Sequence, residues 1–225
     1  LAVRIDSLMI DRLHLNGYDY SDIAAAGSLS SESFDGKVIC NDPNLNFMFQ
    51  GTFALSAKTR NSLYQFYANI GHADLNALNI DKRGVSRIRL QTKADFTSTN
   101  KGEVIGNVDI ADIVLENKAG KYEIGDINLS SHSIEGDHQM YLDSDFATAS
   151  YSGTSTLSRF VRNVVDVTMR KELPALFKNP EYSWKEDRYD FLFTCHDLTS
   201  LLILQLNPAI PTFTCSGKIS TTSWR

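Results

Sequence analysis

The chain has 225 residues, a net charge of -5 at pH 7 and a pI near 5.5. Because nucleic acids and anionic membrane surfaces bind clustered Lys and Arg, this acidic balance sets both aside as partners. Apolar residues make up 42% and charged residues 22%, an ordinary balance for a folded chain long enough to bury a substantial core. The longest apolar run, Leu201 to Leu204, is far shorter than the ~20 residues of a membrane-spanning helix.

Apolar and polar residues alternate along most of the chain up to Gly153. This is the pattern of β-strands with one apolar face and one polar face. The clearest strand is 45–55, and we predict others at 8–15, 23–29, 34–40, 64–70, 88–96, 104–110, 122–129, 140–146 and 149–153. A weaker strand is predicted at 71–79 and a bulge at Gly125. Turns rather than helices separate these strands, which predicts an antiparallel meander.

The period changes to three and four after Ser155, where Leu157, Phe160, Val161 and Val164 begin an amphipathic helix that extends to Phe177. A strand at 189–195, a short helix at 198–206 and a strand at 213–219 follow. We therefore predict a curled multi-strand sheet at 1–154, a helix at 155–178 that packs on or caps the sheet, and a strand-helix-strand continuation at 179–225.

Residues that could carry chemistry are scattered. His132 and His138 do not have a metal-ligand spacing, and we interpret them as part of a solvated turn. Cys195 and His196 are adjacent in a strand, so they point to opposite faces and cannot form a dyad. Carboxylates on the polar phase are read as a solvated face: Asp35, Asp95, Asp109, Asp143 and Asp145. We predict no enzyme, no cofactor and no metal.

The three cysteines, Cys40, Cys195 and Cys215, each fall on the apolar phase of a strand. Such a residue behaves as a small hydrophobic side chain, so we predict buried free thiols. A bridge between Cys195 and Cys215 is the main alternative.

The apolar face of about ten strands would be roughly 45 Å across, which one helix about 10 Å wide cannot cover. Either the sheet closes on itself around a dry core, or it curls into an open trough. Small residues on the inward phase would leave room for a ligand in the trough. The predicted groove residues are Leu45, Phe47, Phe49, Phe53, Leu55, Tyr64, Phe66, Ile88, Leu90, Phe96, Val108, Ile110, Tyr122, Ile124, Met140 and Leu142.

Three runs of the sequence resemble one known family. They are L-N-G-Y-D-Y-S-D-I-A-A-A-G-S-L from Leu15, F-D-G-K-V-I-C-N-D-P-N-L-N-F-M-F-Q-G-T-F from Phe34, and Y-D-F-L-F-T-C-H-D-L-T-S-L-L from Tyr189. They are similar to the central region of TamB-type translocation and assembly proteins of the Bacteroidota, an AsmA-like group. The chain begins at Leu1 and stops in strand texture, so we expect a piece of a longer protein.

The resemblance implies a periplasmic segment of a protein anchored in the inner membrane, with a taco-like β-sheet that guides phospholipid acyl chains or outer-membrane protein strands between the two membranes. It also implies that other parts of the full-length protein meet a BamA-like barrel of the TamA type. The predicted helices depart from a plain taco and would plug or cap the trough. A surface or adhesion-type module that binds protein or glycan by its polar face is the alternative. That module would need an exposed aromatic cluster, for which Tyr67 and Tyr141 are the candidates.

Overall fold

In the part of the chain that the structure describes, twelve strands form one sheet, and each pairs antiparallel with the next along the chain. The computed structural model describes residues 2–56, 61–81, 86–100, 103–118, 120–134, 136–156, 159, 188–196 and 213–220, the last range as backbone only. The strands are β1 (Ala2–Leu15), β2 (Tyr18–Ser30), β3 (Ser33–Asp42), β4 (Leu45–Leu55), β5 (Ser62–Asp74), β6 (Ser86–Ser98), β7 (Val104–Asn117), β8 (Gly120–Ile134), β9 (Asp137–Ser144), β10 (Ala147–Gly153), β11 (Arg188–Cys195) and β12 (Phe213–Ser220).

The sheet is open, because β1 and β12 are its two edges and do not pair with each other. At a spacing of about 4.8 Å, the width across the strands is roughly 50 Å. The predicted mainly-β antiparallel architecture is confirmed at this level. The sheet is not closed into a barrel through its described strands.

Positive φ angles accompany two local features of the sheet. Asn16 and Gly17 form the β1–β2 turn with φ angles of 53° and 75°, the left-handed conformations that a tight hairpin turn requires. The register of β7 and β8 shifts beside Gly125, which has a φ of 82°, so the predicted bulge is present.

The predicted weak strand at 71–79 is wrong beyond Asp74. β5 ends there, and a turn follows over 75–79. The Asp74 carboxylate accepts a hydrogen bond from the Ala77 N–H at 3.0 Å, and the Asp74 carbonyl accepts one from the Leu78 N–H at 3.0 Å. This local bonding competes with the sheet ladder and ends the strand. The predicted strand at 140–146 likewise ends early, at Ser144.

The two predicted helices, 156–177 and 198–206, lie outside the described residues except for Thr156 and Arg159. Both remain predictions, as does the division of the chain at 155 and 178. Within the described part of the chain, no helix has the length and apolar character to cross a membrane.

The strands end at two long margins of the sheet. The Asp42 margin is the side of the sheet that holds the strand ends Leu15, Asp42, Asp74, Asn117, Ser144 and Cys195. The Leu55 margin is the opposite side, which holds Ser30, Leu55, Ser98, Ile134 and Gly153. Every strand runs from one margin to the other, so the two margins can be compared strand by strand.

Near the Asp42 margin the register between paired strands shifts from β4 to β8. Asp22 and Asp112 have φ angles of 49° and 54°, which frees their backbone groups from the regular ladder. The Asp112 N–H instead donates to the Asp126 carboxylate at 3.1 Å, and the Asp126 N–H donates to Asp145 at 3.4 Å. Each bulge on β7 and β8 is therefore satisfied by a carboxylate that follows later in the chain.

Candidate functional site

The sheet register places the predicted groove residues on one face. Residues directly opposite each other in an antiparallel ladder share a face, and Phe53, Tyr64 and Phe96 are successive partners across β4, β5 and β6. Pairing across the ladders places the other predicted groove residues on this face as well, except Ile124, which the shifted register beside Gly125 leaves unpaired. We call this side of the sheet the apolar face.

An aromatic cluster covers the apolar face from β3 to β6. Its members are Phe34, Phe49, Phe53, Tyr64, Phe66 and Phe96. The rings of Tyr64 and Phe96 stack with centroids 4.6 Å apart, and those of Phe49 and Phe53 stack at 5.1 Å. These separations are in the favourable range for aromatic pairs, so the cluster is a packed feature of one face.

A glycine strip runs beside this cluster across three strands. Gly27, Gly36 and Gly51 are successive partners on β2, β3 and β4. A Cβ on Gly27 would collide with the backbone of Asp35, and one on Gly51 would collide with the backbone of Phe66. The strands thus approach one another closely here, and bare backbone rather than side chain forms this part of the face.

The large side chains of the apolar face are mostly half-buried. Among the predicted groove residues Phe49 is buried and Leu55 is exposed, and the others lie between these classes. A core of this size that packed on itself would bury most of these side chains. The face therefore retains apolar surface that is accessible in the structure.

The Asp42 margin is closed by a buried carboxylate. Asp42 is 3% exposed, and it accepts hydrogen bonds from the Tyr18 hydroxyl at 2.5 Å, the Ser21 N–H at 2.9 Å and the Asn44 N–H at 2.9 Å. Burial by itself would raise the pKa of Asp42, but these donors outweigh it and lower the pKa below its ordinary value. Burial also raises the pKa of the Tyr18 hydroxyl.

A short segment, 75–81, folds against the same margin. The side-chain amide of Asn16 donates to the Asn79 carbonyl at 3.1 Å, and the amide of Asn79 donates to the Gly17 carbonyl at 3.0 Å. We call this reciprocal pair the Asn16–Asn79 clasp. It joins the β1–β2 turn to the segment between β5 and β6, and Leu78 beside it is only 1% exposed.

The Leu55 margin carries half-exposed apolar side chains from β1 to β7. Val3, Leu29, Leu55 and Val104 all belong to the apolar phase at this margin, and they are 42–50% exposed. Between β2 and β5 the margin opens into a cleft of ≈ 230 Å³. Leu29, Phe34, Phe53, Leu55 and Tyr64 supply its apolar walls, and Ser30, Glu32, Ser33 and Ser62 lie on its polar side.

The opposite face of the sheet is polar. The carboxylates predicted to be solvated, Asp35, Asp95, Asp109, Asp143 and Asp145, are all exposed. Tyr67 donates to Gln91 at 2.9 Å and is half-buried, whereas Tyr141 is exposed. Because they lie on β5 and β9, four strands and roughly 19 Å apart, they do not belong to one aromatic cluster.

The candidates for other chemistry do not converge on a site. Cys40 and Cys195 are buried free thiols, so the alternative bridge from Cys195 to Cys215 is not formed. Burial raises the pKa of the Cys40 thiol. His196 is exposed and its N–H donates to Phe146, while Cys195 is fully buried. In the part of the chain that the structure describes, no group of three His, Cys, Asp or Glu residues could hold a metal.

Comparison of the chain with protein-family models, curated proteins and solved structures finds no match. The site is therefore defined by its own geometry. The alternation of the sequence located the apolar face, but it did not identify the Asp42 network or the Asn16–Asn79 clasp. A usable signal was present in Asn16-Gly17 and in Asp74, which is three residues before Ala77.

Proposed function

We propose that this chain is a periplasmic segment of a TamB-type envelope scaffold anchored in the inner membrane, and that its apolar face carries phospholipid acyl chains towards the outer membrane. One observation carries the proposal: a continuous apolar face of an open sheet whose large side chains are only half-buried. A BamA-like barrel of the TamA type would be met by other parts of the full-length protein.

Acyl chains suit this face better than unfolded outer-membrane protein strands. A peptide strand lying flat on an apolar surface would leave its backbone N–H and C=O groups without partners, at a cost of several kcal/mol each. An acyl chain has no such groups and gains about 0.8 kcal/mol for each methylene it buries. This binding depends on the hydrocarbon and gives little selectivity for the head group.

The proposal includes a curled sheet, with the apolar face inside. Two features support it: the glycine strip, where strands approach closely at Gly27 and Gly51, and the register shifts near the Asp42 margin, of which the one on β7 lies beside Asp112. Glycine kinks and bulges are the devices by which sheets acquire curvature. A trough of this kind would surround a hydrocarbon chain on several sides while leaving the polar face in water.

Native mass spectrometry of the protein purified from cell envelopes tests the proposal. We expect bound phospholipid, with masses spread over several head-group classes. Phe66→Lys, which puts a charge among the aromatic rings, should remove the bound lipid. Gln65→Lys is the matched control, because Gln65 lies on the polar face within 3.2 Å of Asp95, where a lysine has an acidic partner.

The result is interpretable only if both variants fold, which circular dichroism and thermal unfolding check. Absence of lipid from the unaltered protein would contradict the proposal. Equal loss of lipid in Phe66→Lys and Gln65→Lys would contradict the placement of lipid on the apolar face.

A further inference from the structure

The two margins present unlike barriers to a molecule that moves onto the apolar face. At the Asp42 margin the apolar phase ends in buried groups: Cys40 and Asp42 on β3, Ala73 on β5 and Leu78 in the following segment. At the Leu55 margin the apolar phase ends in half-exposed side chains on β1, β2, β4 and β7. The contrast holds for β2 to β5. On β1, Leu13 and Leu15 are 42% and 58% exposed at the Asp42 margin, and Tyr151 and Tyr189 are buried near the Leu55 margin on β10 and β11.

Crossing the Asp42 margin would require protein hydrogen bonds to break. The Asn16–Asn79 clasp, the Asp42 network and the Asp74 to Arg87 pair at 3.1 Å all lie there. Breaking a buried hydrogen bond to a charged group is unfavourable, because the group loses its partner before water can replace it. Leu78 would also have to leave its buried position.

Between β2 and β5, the described residues of the Leu55 margin include no buried charged group and no apolar side chain as buried as Leu78. Leu29 and Leu55 already contact water, so hydrocarbon that covers them gains free energy at once. The cleft behind them leads to Phe34, Phe53 and Tyr64 of the aromatic cluster. The hydroxyls of Ser33 and Ser62 lie beside this path and can hydrogen-bond a polar head group, whereas the Ser30 hydroxyl is bonded within the β2–β3 turn.

We infer that phospholipid acyl chains enter and leave the apolar face across the Leu55 margin, through the cleft between β2 and β5, while the head group stays in water at that margin. The inference rests on the proposed function and adds a direction to it. The Asp42 margin acts as the closed side of the trough. The cleft is the first position that an incoming chain occupies.

The rate of lipid uptake from phosphatidylcholine vesicles that contain a fluorescent phospholipid tests this inference. The variant pair Leu29→Ser with Leu55→Ser removes apolar surface from the Leu55 margin. The matched control, Leu15→Ser with Ile80→Ser, removes two exposed apolar side chains from the Asp42 margin. We expect the first pair to slow uptake by about tenfold, since two half-exposed leucines contribute on that order, and the control pair to leave the rate unchanged.

Equal slowing by both pairs, or a larger effect of the control pair, would overturn the inference and leave the proposed function standing. Failure of the unaltered protein to take up any lipid would instead contradict the proposed function. A head-group photo-crosslinking phospholipid gives a second measurement that does not depend on rates. It should label a site at Ser33 rather than at Asn44, and labelling at Asn44 would overturn the inference.

Discussion

The Asp42 margin and the Leu55 margin are built by the same strands, yet between β2 and β5 they hold different kinds of residue. One contains buried groups joined by hydrogen bonds between loops far apart in sequence, such as the Asn16–Asn79 clasp. The other contains half-exposed leucine and valine side chains. Its loops are joined by the bond from the Leu55 N–H to the Glu32 carbonyl and by the bond from the Asn100 N–H to the Asn61 side chain, and its described residues include no buried charged group. From β2 to β5, buried and hydrogen-bonded groups therefore lie at one end of the strands, and half-exposed apolar side chains lie at the other.

The largest effect on this comparison should come from Leu78→Ala. Leu78 is almost completely buried at the closed margin, and truncation of such a side chain costs about 3 kcal/mol in lost burial and a residual cavity. Ile80→Ala is the control, because Ile80 is exposed in the same segment and should change the free energy of unfolding by less than about 0.5 kcal/mol. Urea unfolding measures both, and similar values would show that the margin is not closed by Leu78.

Asp42→Asn should have the next largest effect and lower the free energy of unfolding by about 2 kcal/mol near neutral pH. It replaces a buried anion that accepts several hydrogen bonds by an amide, whose NH₂ group would face other hydrogen-bond donors. The effect depends on pH. The folded pKa of Asp42 lies below its ordinary 3.8, so its charge stabilises the fold above that value and the contribution is lost as pH falls through the folded pKa.

The unaltered protein and Asp42→Asn should therefore approach each other in stability below about pH 4. Urea unfolding at pH 7 and at pH 3 measures the difference at both ends of this range. A difference that stayed constant with pH would contradict the assigned role of the Asp42 carboxylate.

Asn79→Gly tests the Asn16–Asn79 clasp. It should lower the free energy of unfolding by about 1 kcal/mol, because the side-chain amide is lost. Glycine keeps the φ of 58° at this position without strain, so the change isolates the hydrogen bonds. Asn79→Ala should cost roughly a further 1 kcal/mol, because alanine disfavours the left-handed conformation. Equal stabilities for the two variants would argue against that conformation at Asn79.

The smallest stability change should follow Leu29→Ser and Leu55→Ser. Both side chains are half-exposed, so each substitution should lower the free energy of unfolding by only about 0.5 kcal/mol. Lipid uptake should nevertheless fall. The comparison of the margins predicts slower uptake without a large decrease in the free energy of unfolding. A large loss of stability would mean that the Leu55 margin is also part of the core.

The sequence predicts features that depend on the residue pattern within a single strand. Phe49, Phe66 and Leu90 could be assigned to one face because a period of two decides which side a residue points to. That alternation held across most of the sheet, and it located the apolar face before any register was known.

The margins could not be predicted in the same way. Leu78 is out of phase with Ala73 and Leu75, and the N–H groups of Ala77 and Leu78 bond to Asp74 in a turn rather than to a neighbouring strand. Asp42 directly precedes Pro43, and its partners Tyr18 and Ser21 lie on the neighbouring strand β2, 24 and 21 residues earlier in the chain. Such contacts depend on how strands align, which a single sequence does not state.

The most direct test of the central claim is photo-crosslinking from adjacent positions of β5. Phe66 lies on the apolar face and Tyr67 on the polar face, so a photoreactive phenylalanine analogue at one position is the control for the other. Irradiation of the protein in cell envelopes, followed by mass spectrometry, should give phospholipid adducts at Phe66 and none at Tyr67. Adducts of equal yield at both positions, or adducts at Tyr67 alone, would contradict the account.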